Sequence, residues 1–239
     1  MDLAVRLRSA VCLLGRFPAL AGADLDVASG ETVLVRGANG AGKTTLLRAL
    51  AGLVPVVEGE ARVLGHDLRR DRRRLRRRVG LLGHASGLYD DLTVADNLRF
   101  WARAARRTVA DADAALARLG LAGRLADVPV IRLSAGQRRR VALAVLVARA
   151  PELWLLDEPH AGLDAAGRDL LDEVVRSAAA DGGTVILASH ELDRAGSLAD
   201  RAVTLAGGRL VTDPSRSPAP PASPPATTPP PGPEAVHVA

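Results

Sequence analysis

Nine consecutive residues, Gly37-Ala38-Asn39-Gly40-Ala41-Gly42-Lys43-Thr44-Thr45, have the pattern of a loop that wraps phosphate groups. Its glycines let backbone amides turn toward an anion. The loop stands between a short apolar run that reads as a strand and a Leu-containing run that reads as a helix, whose N-terminus adds partial positive charge. In this pattern Lys43 reaches the β- and γ-phosphates of ATP, and the Thr44 hydroxyl takes a place on Mg²⁺. Composition points to the same side chain, because Lys43 is the single lysine among 32 basic residues. A chain that uses arginine everywhere else keeps a compact ammonium where a broad guanidinium would not serve.

A second cluster ends the apolar run Leu153-Trp154-Leu155-Leu156, where Asp157 and Glu158 stand side by side. Two acids at a strand end are ordinarily just solvated. At the C-terminal edge of a parallel sheet, however, both can turn into the crevice where nucleotides bind. Paired with the phosphate loop, Asp157 is expected on Mg²⁺ through water, and Glu158 is expected to polarise the attacking water as general base. The third cluster is Leu133-Ser134-Ala135-Gly136-Gln137. Ser134 with Gln137 three residues on is a capping box, so Ser134 and Gly136 are expected at the exposed N-terminus of a helix running from Arg138 to Ala150, a place suited to an anion.

The elements that must carry these groups follow from hydrophobic period and turn residues. Up to about residue 65, short apolar runs (Leu3 to Leu7, Leu25 to Val27, Thr32 to Arg36, Ala61 to Leu64) alternate with Gly-containing turns, which predicts strands around one helix, Lys43 to Leu50. From about 88 to 150, Ala, Leu and Arg recur at helical spacing, broken near Gly120, Gly123 and Pro129. Buried strands are expected again at Leu153 to Leu156 and Thr184 to Ala188, with a helix from Asp164 to Ala180 between them, the order of a parallel sheet with crossover helices. From Pro214 to Ala239 ten of the fifteen prolines appear, and this stretch is expected to be a disordered tail. The division expected is therefore 1–212, with a helical insert at about 88–150, and a tail at 213–239.

In their order and spacing these segments resemble the ABC ATPases, over roughly residues 3 to 212. The resemblance implies an α/β P-loop NTPase fold, with a RecA-like parallel-sheet core, an N-terminal antiparallel β subdomain and a helical subdomain. It also implies that Ser134 and Gly136 contact the γ-phosphate of ATP held by the loop of a second copy, so that hydrolysis needs a dimer. Ala161-Gly162-Leu163-Asp164 resembles the loop that faces the partner copy, although Asp164 also suits an ordinary helix N-cap. His190, ending Ala188-Ser189-His190, resembles the histidine that senses the γ-phosphate, and Phe17 lies where the family places an aromatic that stacks on adenine.

A narrower resemblance, to the haem-exporter ATPases of cytochrome c maturation, rests on Asp127 to Val130, Leu133 to Ala144, Leu153 to Pro159, and Gly83-His84 followed by Leu92-Thr93 and Asn97 to Trp101. In that group Gly-His replaces the glutamine most ABC ATPases carry between subdomains. His84, a nitrogen donor, is expected to reach the Mg²⁺ shell, or the attacking water, through a hydrogen bond, not as a ligand. The implied cofactors are ATP and Mg²⁺. The implied partners are a second copy and integral membrane transporter subunits, with haem handled indirectly, at the cytoplasmic face of the cell membrane. An ATPase serving a drug, lipid or polysaccharide exporter would look the same, since the motor does not see the cargo.

Composition excludes other classes. No stretch reaches the roughly 18 apolar residues of a membrane span, and Val141 to Ala148 is closed by Arg149. Ala10 to Leu14 is too short for a secretory signal, so a cytoplasmic chain is expected. The one cysteine, Cys12, reads as a small core residue. The net charge of +5 comes from eight arginines and one aspartate between Arg69 and Arg78, a local +7 that leaves about −2 elsewhere. That run reads as a solvated helix face, and no nucleic-acid partner is expected.

Overall fold

The computed structural model describes residues 2–84 and 86–211; the proline-rich stretch expected as a tail lies outside them. The chain opens with an antiparallel hairpin, β1 (Leu3–Leu14) and β2 (Phe17–Ala28), closed at Gly15-Arg16. Then come β3 (Thr32–Arg36), α1 (Lys43–Leu50), β4 (Glu58–Val63), β5 (His66–Asp67), a 3₁₀ turn at Arg72–Arg77 and β6 (Val79–Leu82). Three helices follow, α2 (Val94–Ala104), α3 (Val109–Arg118) and α4 (Ala135–Arg149). The chain returns through β7 (Leu153–Asp157), α5 (Ala165–Ala180), β8 (Thr184–Ala188), α6 (Leu192–Gly196), β9 (Arg201–Ala206) and β10 (Arg209–Val211).

Two sheets result, in the orders β2-β1-β4-β5 and β10-β9-β3-β8-β7-β6. The first is antiparallel, and in the second every pairing but β9 with β10 is parallel. The central strands are buried on both faces, and their period of two divides the core. Val33, Val35, Leu153, Leu155, Ile186 and Ala188 pack with α1 and the first sheet, whereas Leu34, Trp154, Leu156, Val185 and Leu187 pack with α2 to α5. The parallel core, antiparallel sheet and helical layer implied by the resemblance are all present.

The hairpin strands run further than the apolar runs suggested. Along β1 the buried positions are Ala4, Val5 and Leu7, then Ala10 and Cys12; the alternation of Val5 and Leu7 changes parity at Ser9, whose φ is +47° and where the register with β2 shifts. Such a bulge inserts one residue and moves every later side chain to the other face. Cys12 is fully buried, as expected, and burial pushes its thiol up to about 11. The arginine run forms the 3₁₀ turn, with Leu75 buried beneath it and its neighbours Arg72, Arg73, Arg74, Arg76 and Arg77 exposed, the solvated face that was expected.

Helix starts are set by side-chain caps. Thr93, Thr108 and Ser134 each accept a hydrogen bond from the amide three residues on, and Asp164 caps α5 through Gly167 N at 2.8 Å. Each cap satisfies an amide that the helix itself leaves unpaired. α4 ends at Ala150 in a left-handed conformation just before Pro151.

Candidate functional site

The loop between β3 and α1 lines a cavity of about 270 Å³ with Leu14 and Ala19 of the hairpin, His84, Asp157 and Glu158. Its lining includes Ala38, Asn39, Gly40, Gly42, Lys43, Thr44 and Thr45, so most of the predicted phosphate loop meets both acids and His84 in one cleft. Gly37 and Gly42 are required by contact: a Cβ on Gly37 would collide with the carbonyl oxygen of Leu205, and one on Gly42 with that of Ala19. Gly42, at φ +107°, also takes the left-handed conformation from which α1 starts. Lys43 is 7% exposed and its ammonium donates to Gly37 O at 2.7 Å and Ala38 O at 3.2 Å. An ammonium has three donors, so the loop holds Lys43 in place without using all of them.

The two acids reach the cleft by different means. Asp157 continues the face of Leu153 and Leu155 toward α1, and it is 4% exposed. Strict alternation would send Glu158 to the opposite face, but its φ of +46° breaks the strand there. A left-handed backbone at a non-glycine costs on the order of 1–3 kcal/mol and persists only where surroundings hold it. Here Glu158 N donates to Ala188 O at 2.8 Å. The carboxylate oxygen Oε2 accepts from the His190 backbone N at 3.2 Å and lies 2.8 Å from His190 Nδ1. His190 thus occupies one oxygen of Glu158 and leaves Oε1 for another partner.

The remaining predicted residues are not part of this cleft's lining. Ser134 and Gly136 lie at the N-terminus of α4, where Ser134 Oγ accepts from Gln137 N at 3.2 Å and Gln137 Oε1 accepts from Ser134 N at 2.9 Å. The Gly136 position is tight, since a Cβ would stand 3.2 Å from Gly162 O in the loop before α5. Asp164 takes the N-cap role that the sequence left open. Phe17 is 80% exposed, pairs across the hairpin with Leu14, and shares a strand face with Ala19, both of which line the cleft.

Two arrangements escaped the sequence reading. Arg139 on α4 turns inward and donates to Gly83 O (2.5 Å), Asp157 O (3.0 Å), Glu158 O (2.8 Å) and Pro159 O (3.4 Å). Burial lowers the pKa of its guanidinium, and the charges of Asp157 and Glu158 oppose that shift. The available signal was the run Arg138-Arg139-Arg140, because three successive helical residues span about 200° and cannot all face water on a packed helix. The second arrangement is a buried bridge: His160 Nε2 lies 2.8 Å from Asp172 Oδ1, and Arg194 Nε lies 3.3 Å from Asp172 Oδ2. Nothing in local spacing joins those three positions.

Thr44 and Asp157 offer oxygen donors, which suit a hard divalent cation. Among the described residues no three His, Cys, Asp or Glu side chains converge to hold a metal, so a Mg²⁺ ion there would depend on phosphate oxygens as well. The cleft therefore fits a magnesium–nucleotide pair better than a free ion.

Comparison with known proteins gives a consistent result. The ABC transporter family profile matches residues 20–161. The chain is 43% identical over 179 residues to the cytochrome c biogenesis ATP-binding export protein CcmA of Rhodopseudomonas palustris, covering 75% of this chain and 88% of that protein. It is 44% identical over 191 residues to the protein of the same name from Bordetella bronchiseptica, covering 79% and 85%. Among solved structures, the dimeric, post-hydrolysis ATP-binding cassette MJ0796 bound to ADP and Pi superposes with a TM-score of 0.80 at 25% identity, covering 86% of this chain and 96% of that one.

Proposed function

The chain belongs to the ABC transporter family, as an ATP-hydrolysing subunit, and from that premise we propose that it powers haem export or haem release for cytochrome c biogenesis. The observation that carries the ATPase part is the meeting of Lys43, Thr44, Asp157 and Glu158 in one cleft. The cargo rests on the relatives named for cytochrome c biogenesis and on Gly83-His84. Among the described residues no helix is long and apolar enough to cross a membrane. In this reading the chain docks on integral membrane subunits at the cytoplasmic face, and haem passes through them without touching it.

Each residue then has a task. The loop amides and Lys43 hold the β- and γ-phosphates of ATP, and the pre-placed ammonium needs little reorganisation. Thr44, and Asp157 through water, would hold Mg²⁺, which when bound would neutralise charge on the phosphates. Glu158 Oε1 takes a proton from the attacking water while His190, donating through Nδ1–H, fixes Oε2 and keeps the carboxylate aimed. His84 supports the magnesium shell through a hydrogen bond, and Phe17 offers its exposed ring to adenine. Ser134 and Gly136 serve the nucleotide of a second copy, and the Asp164 loop faces that copy.

The test is to delete the gene in its source organism and restore it as the parent or as Glu158→Gln. The parent should restore c-type cytochromes, and Glu158→Gln should not, at equal protein level. Normal cytochromes in the deletion would overturn the cargo; rescue by Glu158→Gln would overturn the base.

A further inference from the structure

Arg139 lies five residues along α4 from Ser134 and touches none of the groups so far assigned to ATP except through the backbone. Its four acceptors belong to two separate segments: Gly83, just before His84, and the run Asp157-Glu158-Pro159 at the end of β7. The Asp157 and Glu158 carbonyls are the two peptide oxygens flanking the Glu158 Cα, and a single nitrogen, Nη2, reaches both. In an extended strand successive carbonyls point to opposite sides. They converge on one donor here because Glu158 is left-handed at φ +46°. The guanidinium thus contacts the kink that brings the Glu158 carboxylate into the cleft.

We propose that Arg139 is a positioning residue for hydrolysis, clamping the backbone on both sides of Glu158 and tying it to α4 and to the Gly83-His84 loop. The inference rests on Glu158 as the base. Only a planar fork with several N–H donors can reach carbonyls of two segments at once; a lysine ammonium is a compact point and a glutamine offers two donors. Arg139 is half-buried, and its hydrogen bonds run to backbone carbonyls, so they constrain main chain and not a mobile side chain. A shift of α4 against β7 must either break these bonds or carry Glu158 with it. Ser134 and Gly136 stand at the start of the same helix, so seating of that helix end against a partner's nucleotide bears directly on the base.

The experiment compares Arg139→Lys and Arg139→Gln in the full-length chain, each alone and combined with Glu158→Gln. Both single variants should lower kcat about tenfold or more, with KM for ATP within about threefold and a melting temperature within a few degrees of the parent, since the loss is one of aim. In the Glu158→Gln background, where the base is already gone, the same changes should leave the MgATP-dependent dimer population on size exclusion unchanged. A merely structural brace would lower that population too, and such a loss overturns the proposal. Should Arg139→Gln fail to fold, Arg139→Lys retains the charge and decides the matter: full turnover by Arg139→Lys overturns the clamp. Glu158→Gln that hydrolyses at the parental rate would instead remove Glu158 as base, a failure visible without any change at Arg139.

Discussion

At the scale of single residues, the roles proposed for binding and for chemistry fall on different side chains of the cleft, and the two can be tested apart. Lys43 is fixed by loop carbonyls far from Glu158 in sequence, whereas Glu158 is held by Ala188 O and His190. Glu158→Gln keeps the size and the hydrogen bond from the His190 amide but cannot take a proton. It should bind MgATP within a few fold of the parent and lose hydrolysis by at least about a hundredfold, accumulating as an ATP-bound dimer. His190→Ala keeps the base but frees Oε2 from the ring, so its loss should fall mainly on kcat and be smaller. Nucleotide binding by fluorescence titration and turnover by phosphate release check both; a Glu158→Gln protein that stays monomeric at saturating MgATP would contradict the assignment. The meeting of Lys43 with Asp157 and Glu158 was legible in the sequence because each signal is local: Lys43 closes a glycine loop that follows an apolar run, and the two acids end another. The means by which Glu158 enters the cleft was not, because a left-handed φ at a glutamate leaves no mark in composition. Nor was Arg139, whose acceptors lie 18 to 56 residues away.

At the scale of elements, helices were easier to read than strands for a physical reason. A helix start is written in side chains, and α1 and α4 begin where their loop and cap residues place them, at Lys43 and just after Ser134. The length of β1 and β2 was hidden by bulges: alternation fails at Ser9 and again near Gly22, so each strand looks like two fragments. Pairing between elements is harder still to foresee, and the bridge of His160, Asp172 and Arg194 joins the segment after β7 to α5 and α6. Asp172 is 5% exposed and His160 1% exposed, so removing the carboxylate leaves a buried imidazole N–H without its acceptor and a guanidinium short of one partner. Asp172→Ala should cost about 2–3 kcal/mol, near the upper end for an unsatisfied buried donor. By contrast Asp113→Ala, which removes the exposed pair with Arg99 at 3.2 Å, should cost less than about 1 kcal/mol. Urea midpoints at constant slope measure both, and equal losses would show that the bridge does not brace the fold.

For the whole molecule, the decisive feature is that the predicted site residues fall in two places. Lys43, Thr44, Asp157 and Glu158 share a cleft, and Ser134 and Gly136 stand outside its lining, where Gly136 abuts the loop that carries Gly162. If the second group serves the nucleotide of another copy, a twofold dimer contains two composite sites, each made of the loop of one chain and the α4 N-terminus of the other. This has a consequence that no single-chain site can imitate. Lys43→Ala leaves a homodimer with both loops defective, and Ser134→Arg leaves one with both α4 ends blocked, so each alone should be nearly inactive. In a mixed dimer both lesions fall in the same site, one with the defective loop facing the blocked helix end, and the other site is complete. An equimolar mixture gives half mixed dimers with one good site of two, so about a quarter of the parental rate should return on mixing. Phosphate release measured across mixing ratios should peak near equal amounts of the two variants. A mixture as inactive as its parts would mean that each chain completes its own site, and the composite dimer would have to be abandoned.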